Sequence, residues 1–309
     1  MKTVFVVLPN VLENEAAAEK LHQAFDRIVV ASERSVAVSE LVDLGSSVDA
    51  AVVGVKERID ASVLDKLPNL RAIGSVSAGT DHIDVPAVQS RGVKLVTSGN
   101  ANSQSVAEHA LAMILCIVKR LREGHAASLS GADRAGMVNA PHEFRGMNVG
   151  ILGAGATAQA LLRLLQPFGV NVLVWTRNPA SHPEILEYGA ENSGLDKIFG
   201  TCNVVSIHLP LTDETRRMVD GRLLDKLPKN ACVVNVARKD IFDLGQLTET
   251  MVDRPDLSLA VDDFGLAGED FVSRLGDRFL VTPHVAGVTV EAERAMQNIV
   301  VDGVIRTFE

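Results

Sequence analysis

Short apolar runs alternate with polar stretches of helical period along nearly the whole chain. Residues 2–9 (KTVFVVLP) precede an Ala/Glu/Leu-rich segment at about residues 13–25 with helical spacing, and residues 26–32 (DRIVVAS) are apolar again. The runs at 49–55 (DAAVVGV), 70–77 (LRAIGSVS) and 92–98 (GVKLVTS) each stop near a Gly or Ser. A second series follows at 147–155 (MNVGILGAG), 171–177 (NVLVWTR), 202–210 (CNVVSIHLP), 231–238 (ACVVNVAR), 257–264 (LSLAVDDF) and 278–284 (RFLVTPH). Runs that are apolar at consecutive positions, rather than at alternate ones, predict strands buried on both faces. Helices between them predict parallel pairing. The pattern predicts an α/β chain with two doubly wound parallel sheets, one from residues 1–99 and one from residues 100–287. The helical segment in 288–309 is expected to return to the first.

Between the two series, residues 103–122 (SQSVAEHALAMILCIVKRLR) predict one long helix. Ser105 and Glu108 read as a capping box, and Val106, Ala110, Met113, Ile114, Ile117, Val118 and Leu121 as its apolar stripe. Residues 124–146 lose periodicity and read as a connection.

The 309 residues are 47% hydrophobic and 22% charged, a soluble globular composition long enough for two cores. A net charge of −9 offers no electrostatic basis for binding nucleic acid or an anionic membrane. No run approaches the ~20 apolar residues of a membrane span, and no signal peptide is legible. Cys116, Cys202 and Cys232 have neither disulfide nor zinc spacing and sit in apolar segments, which predicts a reducing, cytoplasmic setting and no metal.

The chemistry begins at residues 148–177. A strand runs into Gly153-Ala154-Gly155-Ala156-Thr157-Ala158, and an apolar-periodic helix leaves it. Gly153 permits the tight turn, Gly155 lets a pyrophosphate reach the backbone, and Ala158 is small enough for the helix to pack on the strand. Ala156 and Thr157 open the helix, whose free N–H groups and positive dipole end suit phosphate. About twenty residues on, where NAD binders carry an acid for the ribose 2′-hydroxyl, stand Thr176, Arg177 and Asn178. Losing the carboxylate removes repulsion of a 2′-phosphate, and the guanidinium can pair with one. NADP is therefore expected, with NAD possible.

Six stretches, VSAGTDHIDV (76–85), SVAEHAL (105–111), GILGAGATA (150–158), SIHLPLTDETRRMV (206–219), VVNVAR (233–238) and VTPHVAG (281–287), occur together in one order. As a set they resemble the D-isomer-specific 2-hydroxyacid dehydrogenases, over essentially the whole chain. The resemblance implies two Rossmann- or flavodoxin-like domains, residues 1–99 binding substrate and 100–287 binding dinucleotide. It implies an oxidoreductase that interconverts a small-molecule 2-oxo acid and a D-2-hydroxy acid, usually as a homodimer. It assigns the substrate carboxylate to Arg238 and to the loop Ser77-Ala78-Gly79, and the acid/base role to His284. His208, Pro210, Val236 and Ala237 would line the cofactor, and Asp262 would meet the nicotinamide carboxamide. This agrees with the chemistry: hydride transfer to a 2-oxo acid needs a cation for the carboxylate and a proton for the developing alkoxide.

Two positions depart from the family. Lys239 follows the substrate arginine where glycine is usual, and either adds a cation suited to a dianionic substrate or points to solvent. The glutamate that normally holds the histidine falls on Ala267, with Glu269 two residues late as a possible substitute. That loss leaves open an alternative, a catalytically impaired dinucleotide-binding regulatory protein of the same fold. Retention of both Arg238 and His284 favours the enzyme. A short-chain reductase lacks its Tyr-x-x-x-Lys pair, since the single tyrosine is Tyr188.

Overall fold

The computed structural model describes every residue except Val138, Phe264 and residues 266–268, and only the backbone of Glu269 and Asp270. The chain divides into two compact units, Met1–Asn102 with Val288–Glu309, and Ser103–Gly287.

In the first unit, strands β1 (Thr3–Val6), β2 (Arg27–Val30), β3 (Ala50–Val53), β4 (Ala72–Ser75) and β5 (Lys94–Thr97) form one parallel sheet in the order β2-β1-β3-β4-β5. The three inner strands are buried at every position, whereas β2 and β5 are partly exposed edges. That is why the inner strands read as unbroken apolar runs. Leu41, Leu64 and Ile73 pack one face. The other face is closed by Leu21 and by Val300, Val301 and Val304 of the terminal helix Val290–Ile305. Each of those valines is fully buried, worth roughly 1.5–3 kcal/mol of apolar transfer. The Thr289 side chain caps the helix by accepting from the Ala292 N–H.

The second unit holds β6 (Asn148–Leu152), β7 (Asn171–Trp175), β8 (Glu191–Asn192), β9 (Val204–Ile207), β10 (Cys232–Asn235), β11 (Ser258–Val261) and β12 (Phe279–Val281). All pairs are parallel, in the order β12-β11-β10-β9-β6-β7-β8. The chain winds one way from β6 to β8 and the other way from β9 to β12. A crevice therefore opens between the loops leaving the carboxyl ends of β6 and β9, the position where such sheets bind ligands.

At the start of the second unit, the sequence pattern needs two corrections. The helix begins at Ser103, so Ser105 lies inside it and caps nothing; its hydroxyl donates to the Ala286 carbonyl at 2.6 Å. The helix also ends at Val118, and Arg120 takes a left-handed φ of 54° before a further helix, Leu121–Leu129. That second helix buries no residue, so it carries no apolar stripe for the sequence to reveal. Two-residue β8 is likewise too short to leave a pattern. Among the described residues, no helix is long and apolar enough to cross a membrane, and no cluster of His, Cys, Asp and Glu could hold a metal ion. Burial pushes the Cys202 thiol up to about 11 and the Cys232 thiol up to about 12, so both are unreactive core groups.

Candidate active site

Along the carboxyl edge of the second sheet, the sequence-predicted residues fall in strand order. His284 follows β12, Asp262 β11, Arg238 β10, His208 and Pro210 β9, the glycine loop β6, and Thr176 to Asn178 β7. Residues spread over 131 positions of sequence thus share one edge.

At the centre, Gly153 has φ 111°, and a Cβ there would lie 2.5 Å from the His208 carbonyl oxygen. Its N–H donates to the Trp175 carbonyl at 2.8 Å, which fixes the turn between β6 and β7. Gly155 is different: a Cβ would meet nothing within 4 Å. It is exposed and stands at the N-cap of helix Ala156–Leu165, where no side chain caps the first N–H groups. An open approach, uncapped amides and a buried Ala158 against the sheet are what a dinucleotide pyrophosphate requires, so these residues fit that group.

Neighbouring His208 hydrogen-bonds the Ser206 hydroxyl through Nε2 at 2.8 Å, and its Nδ1 is buried with no partner among the described residues. Burial lowers its pKa to about 4, so the ring is neutral near pH 7 and adds no charge to the crevice. Pro210 is exposed, and its carbonyl accepts from Thr215 Oγ1 at 2.6 Å. At the end of β7, Thr176 is half-buried and Asn178 donates to the Ser181 hydroxyl at 2.6 Å. Arg177 is exposed and ion-pairs with Glu214, a partner 37 residues away that no local sequence signal marks.

Arg238 is presented by a clamped turn. Asn235, buried at the end of β10, accepts from the Ala237 N–H at 2.9 Å and donates to the Arg238 carbonyl at 2.9 Å. Val236 and Ala237 are half-buried within that turn, and Arg238 Nη1 donates to the Ala237 carbonyl at 3.0 Å. Lys239, expected as a further cation for substrate, instead donates through Nζ to the Gly265 carbonyl at 3.3 Å, and its N–H donates to Asp263 Oδ2 at 3.4 Å.

His284 is exposed and has a left-handed φ of 61°, a conformation that costs an ordinary residue about 1 kcal/mol. Asp262, buried at the end of β11, holds the turn in that shape. Its Oδ1 accepts from the Thr282 hydroxyl at 2.5 Å and the Val285 N–H at 2.8 Å, and its Oδ2 accepts from the Ala286 N–H at 2.8 Å. With the Thr282 proton directed to the carboxylate, His109 Nε2 donates to Thr282 Oγ1 at 3.0 Å. The resemblance gives Asp262 to the nicotinamide carboxamide; the structure places both its oxygens on the backbone that carries His284. Thr282→Val should therefore keep dinucleotide affinity but lower kcat about tenfold, with Thr282→Ser restoring it. Steady-state kinetics of the pair check this, and unchanged turnover in the valine variant contradicts it. Ala267 lies outside the described residues, as does the Glu269 side chain, whose backbone begins helix Glu269–Leu275.

In the first unit, Ser77, Ala78 and Gly79 leave β4. Ser77 is buried, and its hydroxyl donates to the Gly79 carbonyl at 2.7 Å while lying 2.7 Å from the Ser75 hydroxyl. Ser75 in turn is 3.0 Å from His82 Nε2. These bonds stiffen the loop while Ala78 stays exposed.

A doubly wound dinucleotide domain with a cation and an imidazole at one end of its crevice fits a nicotinamide-dependent oxidoreductase. Comparison with known proteins makes this more specific. The family described as D-isomer specific 2-hydroxyacid dehydrogenase, NAD binding domain, matches residues 111–286. A glyoxylate reductase of Pyrococcus furiosus is 29% identical over 300 residues, covering 94% of this chain and 88% of that one. An (S)-sulfolactate dehydrogenase of Chromohalobacter salexigens is 28% identical, covering 87% and 88%. The crystal structure of an NAD-dependent formate dehydrogenase from Staphylococcus aureus, in complex with NAD, is similar with a TM-score of 0.81 at 24% identity, covering 98% of this chain and 94% of that one. That likeness speaks for the fold alone. The chain belongs to the D-isomer-specific 2-hydroxyacid dehydrogenases, and is an enzyme that uses a nicotinamide dinucleotide.

Proposed function

We propose that the protein is an NADP(H)-dependent reductase of a 2-oxo acid, forming the D-2-hydroxy acid, with Arg238 holding the substrate carboxylate and His284 acting as acid/base. The observation that carries this reading is the strand order: a guanidinium after β10 and an imidazole after β12, each carried on a turn whose backbone is clamped, stand at one end of the crevice whose middle fits a pyrophosphate. The nicotinamide, when bound, supplies the hydride. Arg238 offers a planar fork that pairs with a carboxylate through two N–H groups and draws electron density from the adjacent carbonyl. His284 delivers a proton to the oxygen that becomes the alkoxide, and takes it back in the reverse direction. In the first unit, Ala78 and Gly79 would give backbone N–H groups to a substrate carboxylate, the Ser77 N–H being taken by the Ser75 carbonyl at 2.8 Å. The glyoxylate reductase relative supports the reaction class.

Cofactor preference rests on Arg177. Its pair with Glu214 is solvent-exposed on both sides and therefore weak, so a 2′-phosphate can replace the carboxylate at little cost. NADPH is expected to bind more tightly than NADH, and Arg177→Ala to weaken NADPH about tenfold while leaving NADH almost unchanged. Fluorescence titration of both dinucleotides checks this, and equal or tighter NADH binding in the parent protein contradicts it.

A further inference from the structure

We propose that Arg34 forms a second anion site in the first unit, and that the substrate is a short 2-oxo acid with another anionic group, such as a sulfonate or carboxylate, beyond the oxo carbon. The proposal rests on the reading above that Ser77 to Gly79 binds the substrate's own carboxylate.

The first sheet has a switch point of its own. The chain leaves β1 towards β2 and then returns past β1 to β3, β4 and β5, so the loops after β1 and β3 part and open a crevice at the carboxyl ends. Arg34, on the loop after β2, reaches across to Gly54, the first residue beyond β3. Any side chain at position 54 would collide with the guanidinium Nη2 and with Glu57, so glycine there makes room for the fork. Glu57 is 2% exposed and holds one edge of that fork: Oε1 accepts from Nε at 2.6 Å, and Oε2 from Nη2 at 3.3 Å. Its Oε2 also accepts from the Gly54 N–H at 2.8 Å. Pairing along the Nε edge leaves Nη1 with no partner among the described residues, on a side chain that is 40% exposed.

A buried acid that holds one edge of an arginine fixes the guanidinium and leaves its other donors available to an anion. The guanidinium packs against Gly54, next to the substrate loop. The Val76 N–H donates to the Val53 carbonyl at 2.9 Å, so Gly54 and Val76 lie side by side, and Ser77 to Gly79 follow at once. Adjacent strands lie about 4.8 Å apart, which puts Gly54, against which the guanidinium packs, about that far from the backbone that leads into Ser77. That span matches the two anionic ends of a short dianionic oxo acid. Lys239, the cation that the sequence suggested for this role, is held on the Gly265 carbonyl in the second unit.

The test compares pyruvate with its 3-sulfonated derivative, in calorimetric binding to the NADPH-bound protein and in turnover. Arg34→Met alone would leave Glu57 buried and unpaired, so the informative variant is Arg34→Met with Glu57→Gln. The parent protein should bind the dianion about ten- to hundredfold more tightly than pyruvate, and the double variant should bring that ratio towards one. A ratio near one in the parent, or a ratio unchanged in the variant, overturns the site even if both acids are reduced. If neither acid is reduced but the Arg34-dependent ratio persists in binding, the site stands and the proposed reaction falls.

Discussion

Replacing Arg238 by lysine should give a folded protein that binds dinucleotide normally and reduces 2-oxo acids about a hundred- to thousandfold more slowly. Charge is retained in this substitution, and geometry is lost. The turn at 235–238 is fixed by Asn235, which grips the Ala237 N–H and the Arg238 carbonyl, so the guanidinium starts from a rigid base. An ammonium on a shorter, single-point donor cannot hold a carboxylate by two parallel bonds and cannot also polarise the neighbouring carbonyl. Asn235 does not touch the variant side chain, so the backbone of the turn should survive. kcat/KM for a 2-oxo acid, measured beside the NADPH dissociation constant, separates the two effects. Near-normal turnover with lysine at position 238 would remove the arginine from the reaction.

Replacing His284 should lower kcat by about a hundred- to ten-thousandfold, the range spanned by a positioned general acid. The left-handed φ of 61° makes the choice of substitute important. Alanine loses the proton donor and also meets the steric cost of that backbone, whereas asparagine tolerates the left-handed region and keeps the turn. Both variants should lose reduction alike, and both should bind NADPH as the parent does, because the imidazole follows β12, four strands from β6 and its phosphate-facing loop. An active His284→Asn protein would show that the turn, and not the imidazole, supports the chemistry.

Much of the fold was legible because parallel strands buried on both faces must be apolar at every position, and because glycine is required where the Gly153 turn touches the His208 carbonyl. Arg238 and His284 could be picked out through the resemblance to the 2-hydroxyacid dehydrogenases, and the strand before each sets its place on the sheet edge. What stayed hidden are contacts between residues distant in sequence. Asp262 closes on the 282–286 turn, Glu214 on Arg177, and Glu57 on Arg34, and none of these pairs leaves a periodic trace. Local signals also misled. Ser105 and Glu108 have capping-box spacing, but the helix starts two residues earlier and the Ser105 hydroxyl instead ties it to Ala286. Lys239 looked like a substrate cation because its neighbour is Arg238, yet its ammonium turns back to Gly265.

The proposed reaction is tested most directly by oxidation of NADPH and of NADH by a panel of 2-oxo acids, with chiral analysis of the product. NADPH should be consumed in step with formation of a D-2-hydroxy acid, at a higher kcat/KM than NADH. No oxidation of either dinucleotide by any 2-oxo acid, or consistent preference for NADH, would contradict it.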